Sequence, residues 1–300
     1  MTAPHAGQGG AAVPLSERLA VAGQYWLPKQ ALTSLAGAFA RWQGGAATTS
    51  VIRWFIGRYG VNMAEAADDE PAAYASFNDF FTRALKPGAR PLAQADLVCP
   101  VDGAISQLGA IEGDQIFQAK GHRYSTTALV GGDAALAAHF HGGQFATIYL
   151  SPKDYHRIHM PCAGRLLRMV HVPGDLFSVN PATARGVPGL FARNERVVCV
   201  FEDDQGQPWV MVLVGATIVG SMATVWHGLV NPPRPGTLRE WAYQRENIRL
   251  AQGAEMGRFL LGSTVVLLFP RRDGRHVAFN PAWAPGGAVR MGQVMGQFGS

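Results

Sequence analysis

Cysteine is scarce in this 300-residue chain, with only Cys99, Cys162 and Cys199. They are odd in number, widely spaced and form no C-x-x-C pair, which argues against a disulfide framework or a thiolate zinc site and for a reducing compartment. Long apolar runs are missing too: no stretch approaches the roughly 20 residues that span a bilayer. No charged segment followed by an apolar one opens the chain, so no signal peptide is expected. Also absent are an internal repeat and an alternating βα pattern, which disfavours a Rossmann fold or a (β/α)8 barrel. What is present is ample apolar material, 48% of residues, enough to bury the core of a globular enzyme.

Charge is uneven. The formal net charge is +5, and four of those charges lie in residues 1–60, where Arg18, Lys29, Arg41, Arg53 and Arg58 face only Glu17. A basic end implies an anionic partner, nucleic acid or a membrane surface. Here the cations form no Lys/Arg run but are interleaved with Trp26, Leu27, Leu32, Leu35, Phe39, Trp42, Trp54, Phe55 and Ile56. That mixture suits an interfacial amphipathic helix better than a phosphate-tracking arm, so no nucleic acid is expected. The competing reading is an ordinary helix with its apolar face on the core.

Residues 1–13, rich in Gly and Ala, read as disordered. A helix is predicted from about Gln30 to Trp42, ended by Gly44-Gly45. A second follows over Val51–Arg58, with Thr48, Thr49 and Ser50 as candidate caps, and a third short one after Ser76. Lys86–Pro91 reads as a turn, dividing a helical, basic, membrane-associating region 14–90 from a β-rich catalytic domain 91–300. Strands are predicted at Phe145–Leu150, Val197–Phe201, Trp209–Val214, Thr217–Val219 and Thr264–Phe269, with one helix near Ala134–Phe140. The fold class is α+β: N-terminal helices leading into a β-rich sandwich or barrel-like body.

Three places could carry chemistry. Asp102 is a lone acid in Pro100-Val101-Asp102-Gly103, although Asp-Gly is also a common turn pair. His156 and His159 stand three apart, and can be read as zinc ligands, acid/base groups or satisfied core histidines. Gly262-Ser263-Thr264 opens a strongly apolar strand. It is either a turn or a site where the Ser263 hydroxyl attacks the Gly262 carbonyl, which glycine leaves open.

Together with other segments these places resemble bacterial, short-type, pyruvoyl-dependent phosphatidylserine decarboxylases, from about Leu27 to Phe269. The matching segments include Phe77-Asn78-Asp79-Phe80-Phe81-x-Arg83, Gln118-Ala119-Lys120-Gly121-His122 and Tyr155-His156-Arg157-Ile158-His159-Met160-Pro161. They continue through Val172–Asn180, Leu190–Arg196 and Val214–Ser221 to Leu261-Gly262-Ser263-Thr264. The tail after about Arg271 matches no usable pattern. The resemblance implies that Asp102, His159 and Ser263 form a relay for self-cleavage between Gly262 and Ser263, since a serine hydroxyl needs an imidazole base and a carboxylate to orient it. Fragments 1–262 (β) and 263–300 (α) would stay paired, and Ser263 would become a covalent pyruvoyl cofactor, with no metal and no PLP. It further implies a Schiff base between that ketone and the lipid amine, loss of CO2, and His156 as the proton donor. Ser178 and Asn180 are candidates for binding the head group. Implied partners are phosphatidylserine and an anionic membrane surface at the cytoplasmic face of the cell membrane, where the protein would be peripheral; the paired fragments could assemble further into a homodimer. Competing classes are a pyruvoyl decarboxylase of a soluble amino acid, a metal-dependent hydrolase using His156 and His159, and a non-catalytic binding module.

Overall fold

A computed structural model describes residues 22–26, 28–217, 221–231, 234, 236–261, 263–271 and 276–299, and of Ser263 the backbone. The N-terminal residues 1–13 and Gly262 lie outside the described residues, as do Val219 and Gly220 of the Val214–Ser221 segment.

Helices come first: α1 (Lys29–Arg41), α2 (Ala46–Tyr59) and α3 (Phe77–Phe81). Thr48, Thr49 and Ser50 are not caps but sit inside α2, which starts earlier than the sequence predicts. Gly45, at φ 56°, begins the helix in a conformation that favours glycine. The Thr48 hydroxyl reaches back to accept from the Gly44 N–H at 2.9 Å. Thr49 and Ser50 donate to the carbonyls of Gly45 and Ala46 one turn earlier. The short α3 is fixed by a reciprocal cap, the Ser76 side chain accepting from the Asp79 N–H while Asp79 accepts from the Ser76 N–H. It contributes Phe77, Phe80 and Phe81 to a small core with Ile52 and Tyr74, against which Leu261 packs.

Beyond residue 97 the body is sheet. The largest sheet described has nine strands. Its main path runs Arg239–Ala242, Gly164–Val172, Arg196–Glu202, Pro208–Val214, Ser263–Phe269, Gln144–Leu150, Gly103–Ala110 and Ala288–Val289, with Arg249–Leu250 beside the second. One face packs Ile148, Leu213 and Leu267 against Ile158, Met222 and Phe259 of a four-stranded sheet, forming a sandwich. The other face packs Val198, Val212 and Val266 against Leu136 of helix Ala134–Ala138 and Phe191 of helix Leu190–Arg193. Burial on both faces explains why the central strands read as unbroken apolar runs rather than alternating ones. The sheets described do not close, so the body is a sandwich and not a barrel.

Four of the five predicted strands are present within a residue or so at each end; of the fifth, Thr217–Val219, only Thr217 is among the described residues. Thr217 lies in a turn, its hydroxyl bonded to the Leu176 carbonyl.

Candidate functional site

Strand pairing assembles the site. Gln144–Leu150 lies between two antiparallel neighbours: Ser263 pairs with Leu150 on one side, and Ala104 pairs with Tyr149 on the other. The ends of three strands therefore place Asp102, Leu150 and the Ser263 backbone at one edge of the large sheet. Gly103 permits this approach, since a Cβ there would lie 2.3 Å from the Tyr149 carbonyl oxygen. The histidine segment is tied to the same edge, with the His159 N–H donating to Pro100 O at 2.9 Å and the Phe259 N–H to His156 O at 3.1 Å. Leu261, one residue before Gly262, is held by the aromatic cluster of α2 and α3. Gly262 and the Ser263 hydroxyl lie outside the described residues.

Asp102 is buried, and its carboxylate is filled by three N–H groups. Arg90 Nε donates at 2.9 Å to one oxygen and Arg90 Nη2 at 2.5 Å to the other, while the Met291 backbone N–H donates at 2.9 Å. Arg90 also reaches Glu65 at 2.7 Å, and Arg290 reaches the other Glu65 oxygen at 3.1 Å. The hydrogen bond from Arg90 holds the Glu65 carboxyl below its ordinary pKa. Burial works against the Arg90 charge, but hydrogen bonds to Asp102 and Glu65 more than offset it, so its pKa is raised.

His159 has both ring nitrogens engaged. Nδ1 lies 2.8 Å from the Gly253 carbonyl, which can only accept, so Nδ1 carries the proton. Nε2 then accepts from the Tyr155 hydroxyl at 3.1 Å. Burial lowers the His159 pKa and raises that of Tyr155 to about 12, so the pair is a neutral imidazole and a protonated phenol. Asp102 and His159 thus share the edge, but among the described residues no hydrogen bond joins them. A direct relay requires His159 to exchange a partner.

His156 is fully buried, its ring 4.0 Å from that of Phe81. Its Nδ1 donates to Asp154 O at 2.8 Å, and Nε2 has no hydrogen-bond partner among the described residues. Burial drives its pKa down to about 3, so it is neutral at pH 7. Among the described residues no group of three or more His, Cys, Asp or Glu side chains is placed to hold a metal ion.

Ser178 and Asn180 lie on a loop leading into helix Pro181–Gly186. Asn180 caps that helix, its side-chain oxygen accepting from the Thr183 N–H at 2.9 Å, while the Ser178 hydroxyl accepts from the Asn180 N–H at 3.4 Å. The 22–26 helical segment holds this loop. Gln24 accepts from the Ser178 N–H at 2.9 Å, Tyr25 packs edge-on against Phe177, and Lys29 Nζ lies 3.6 Å from the centre of the Phe177 ring. A cleft of about 460 Å³ runs from Asp102 past Tyr155 and Tyr149 to Pro181, next to Asn180. Arg90, Glu65, Tyr155 and Gln24 were not singled out from sequence. Arg90 fell in a segment that read only as a turn, and nothing in its spacing points to Asp102.

The scan against family models matches residues 77–297 to one described as phosphatidylserine decarboxylase. The chain belongs to the phosphatidylserine decarboxylase family. A second model, described as PSD, matches residues 19–60. Similar curated proteins, each named phosphatidylserine decarboxylase proenzyme, include that of Azoarcus sp. (strain BH72), 71% identical over 282 residues, 94% of this chain and 96% of that protein. That of Delftia acidovorans (strain DSM 14801 / SPH-1) is 71% identical over 281 residues, covering 94% and 98%. That of Variovorax paradoxus (strain S110) is 72% identical over 281 residues, with the same coverage. Membership accounts for the ordered series of motifs along the chain.

Proposed function

We propose that this chain is a phosphatidylserine decarboxylase proenzyme: it cuts itself between Gly262 and Ser263 and then converts phosphatidylserine to phosphatidylethanolamine and CO2. The observation that carries the reading is the convergence of Asp102, His156, His159 and the Ser263 backbone, distant in sequence, on one edge of the sheet. His159 is neutral with its lone pair at Nε2, the state a general base needs to take the Ser263 proton once Tyr155 gives way. Asp102, held by Arg90, places its carboxylate at the same edge to stabilise the imidazolium that forms.

The residues fit a pyruvoyl group formed from Ser263. The junction lies at a strand end, flanked by Leu150, and His156 Nε2 is a buried polar atom without a partner among the described residues. Such a group supplies a ketone that captures the lipid amine and an amide carbonyl that accepts electrons as CO2 leaves. Because His156 is neutral at pH 7, a donor role requires it to gain a proton once substrate is in place. Ser178 and Asn180 would meet the head group at the far end of the cleft. Intact mass spectrometry beside a Ser263→Ala variant tests maturation. The expected result is fragments 1–262 and 263–300 from the parent and one full-length chain from the variant, and an uncut parent refutes it.

We also propose peripheral attachment to an anionic membrane at the cytoplasmic face. The apolar stripe of α1 does not face the core: Leu35 is 69% exposed and Phe39 53%, while the residues it buries are Thr33 and Ala40. Trp26 and Trp54 are also exposed, among exposed Arg41, Arg53 and Arg58. In α2 only part of the expected surface remains, because Ile52, Phe55 and Ile56 pack into the aromatic cluster. No helix among the described residues is long and apolar enough to cross a membrane, and a helix with an outward apolar stripe and basic flanks suits the interface. Flotation with anionic liposomes before and after deletion of residues 1–60 tests this; equal binding would remove the proposal.

A further inference from the structure

Arg83 stands two residues beyond α3 and lines the cleft that also holds Asp102, Tyr155 and Lys153. It is only 4% exposed. Its Nη2 donates to the Lys153 carbonyl at 3.2 Å, and its guanidinium carbon lies 5.4 Å from the centre of the Phe80 ring. Nε and Nη1 have no hydrogen-bond partner, and no carboxylate lies within ion-pair distance, among the described residues. The other buried arginines near or beneath the site differ. Arg90 is paired with Asp102 and Glu65, and Arg196 donates to the carbonyls of Ala128, Leu129 and Asn194.

Burying a guanidinium without a counterion is costly, and leaving two donors unmet adds to that cost. Buried polar groups in folded proteins are paired with few exceptions, so an unpaired cation in a cleft calls for an absent partner. Desolvation pulls the Arg83 pKa below its ordinary value, in keeping with a cation short of partners. The planar fork of an arginine matches two oxygens of a carboxylate or a phosphate. The head group of phosphatidylserine offers both. The carboxylate, however, loses its charge as CO2 departs, so a cation fixed on it would stabilise the ground state more than the transition state and slow the step. The phosphodiester keeps its charge throughout, so a cation there strengthens binding without opposing the chemistry. Lys153, exposed and lining the same cleft, adds positive charge beside it.

We propose that Arg83 is the anion receptor of this cleft and holds the phosphodiester of the phospholipid head group through the guanidinium N–H groups that the protein leaves unmet. This rests on the decarboxylase reading above. It assigns Arg83 to substrate capture rather than to self-cleavage, since it makes no hydrogen bond to Asp102 or His159.

The test compares the parent protein with Arg83→Met and Arg83→Lys. Gel analysis of cleavage first shows which proteins have folded and matured, and CO2 release from dihexanoyl phosphatidylserine is then measured. Losing a charge-assisted pair predicts a KM raised roughly 10- to 100-fold in Arg83→Met, with a much smaller change in kcat and an intermediate KM in Arg83→Lys. Calorimetry supplies a readout independent of turnover: glycerol 3-phosphate should bind the parent and not Arg83→Met, while L-serine should not distinguish them. An unchanged KM, a loss confined to kcat, equal glycerol phosphate binding, no binding by the parent, or failure of both variants to mature would each overturn the assignment. A parent that binds glycerol phosphate through Arg83 but releases no CO2 would instead count against the decarboxylase reading.

Discussion

His156 gives a quantitative test of the site as drawn. In the folded protein its pKa is about 3, because the ring is fully buried against Phe81 and its one hydrogen bond, to Asp154 O, does not offset desolvation. In the unfolded chain the same side chain titrates near 6.5. Between these values the unfolded state binds a proton that the folded state refuses, so stability falls as pH drops below 6.5 and keeps falling until about pH 3. The slope is about 1.4 kcal/mol per pH unit, so moving from pH 7.5 to 5.0 should cost about 2 kcal/mol through this residue alone. His159, also shifted down by burial, adds a loss of the same sign. The measurement is urea unfolding at the two pH values in a Ser263→Ala background, where no cut chain is expected to complicate the transition, with and without His156→Asn. The acid-induced loss should be smaller by about 2 kcal/mol when His156 is absent. Equal losses in the two proteins would show that His156 already carries a proton when folded, and would refute the neutral, desolvated ring.

Replacing Arg90 with methionine should destabilise the chain by about 3–5 kcal/mol, the cost of stripping a buried carboxylate of its partner, since the Arg90 and Asp102 side chains are only 7% and 9% exposed. Asp102→Asn should then cost much less in that background than in the parent, and additive effects in urea unfolding would contradict the pairing. Gly103→Ala should disrupt the pairing of Gly103–Ala110 with Gln144–Leu150, because the new Cβ meets the Tyr149 carbonyl at 2.3 Å. A backbone shift of that kind costs about 1–3 kcal/mol or more. Self-cleavage followed by gel should slow, and normal cleavage at parental stability would show that the approach is looser than drawn.

Much of the body could be read from sequence because its strands obey a simple rule. Val197–Phe201, Trp209–Val214 and Thr264–Phe269 are continuous apolar runs, and both faces of the large sheet are covered. The start of α3 after Ser76 was equally plain, and the structure shows why, since Ser76 and Asp79 satisfy each other within one turn. Where two local signals competed, the sequence misled. Thr48–Ser50 resembles a cap, but the flexible Gly44-Gly45 pair lets α2 begin earlier and turns those hydroxyls toward backbone groups of the preceding turn. Asp102, His156 and His159 could be picked out, but their partners could not. Arg90, Met291, Gly253 and Asp154 reach them through strand register and loop closure, which leave no trace in local spacing. The outward stripe of α1 is the reverse case. Its periodicity was clear, and only the placement of Thr33 and Ala40 on the buried side shows that the stripe is left open.

The same packing would keep the site together after the cut proposed at residue 262. Ser263–Phe269 is no edge strand: it hydrogen-bonds to Gln144–Leu150 on one side and Pro208–Val214 on the other. Val265, Val266, Leu267, Leu268 and Phe269 are all essentially buried, and at about 1.5–3 kcal/mol each their burial contributes about 8–15 kcal/mol. That is comparable to the roughly 4–15 kcal/mol a free fragment would gain in translational and rotational freedom by leaving. The rest of the fragment tips the balance, because Val294–Gly299 pairs with Leu97–Val98 and Ala288–Val289 with Gly103–Ala110. Between these pairings, the Met291 N–H bonds to Asp102 and Arg290 to Glu65. The segment that contains Ser263 therefore also closes over the carboxylate proposed to activate it. The proposed cut of the 262–263 bond would free a new N-terminus at the sheet edge while both ends of the fragment stay anchored, so the geometry proposed to make the cut would persist for the chemistry that follows.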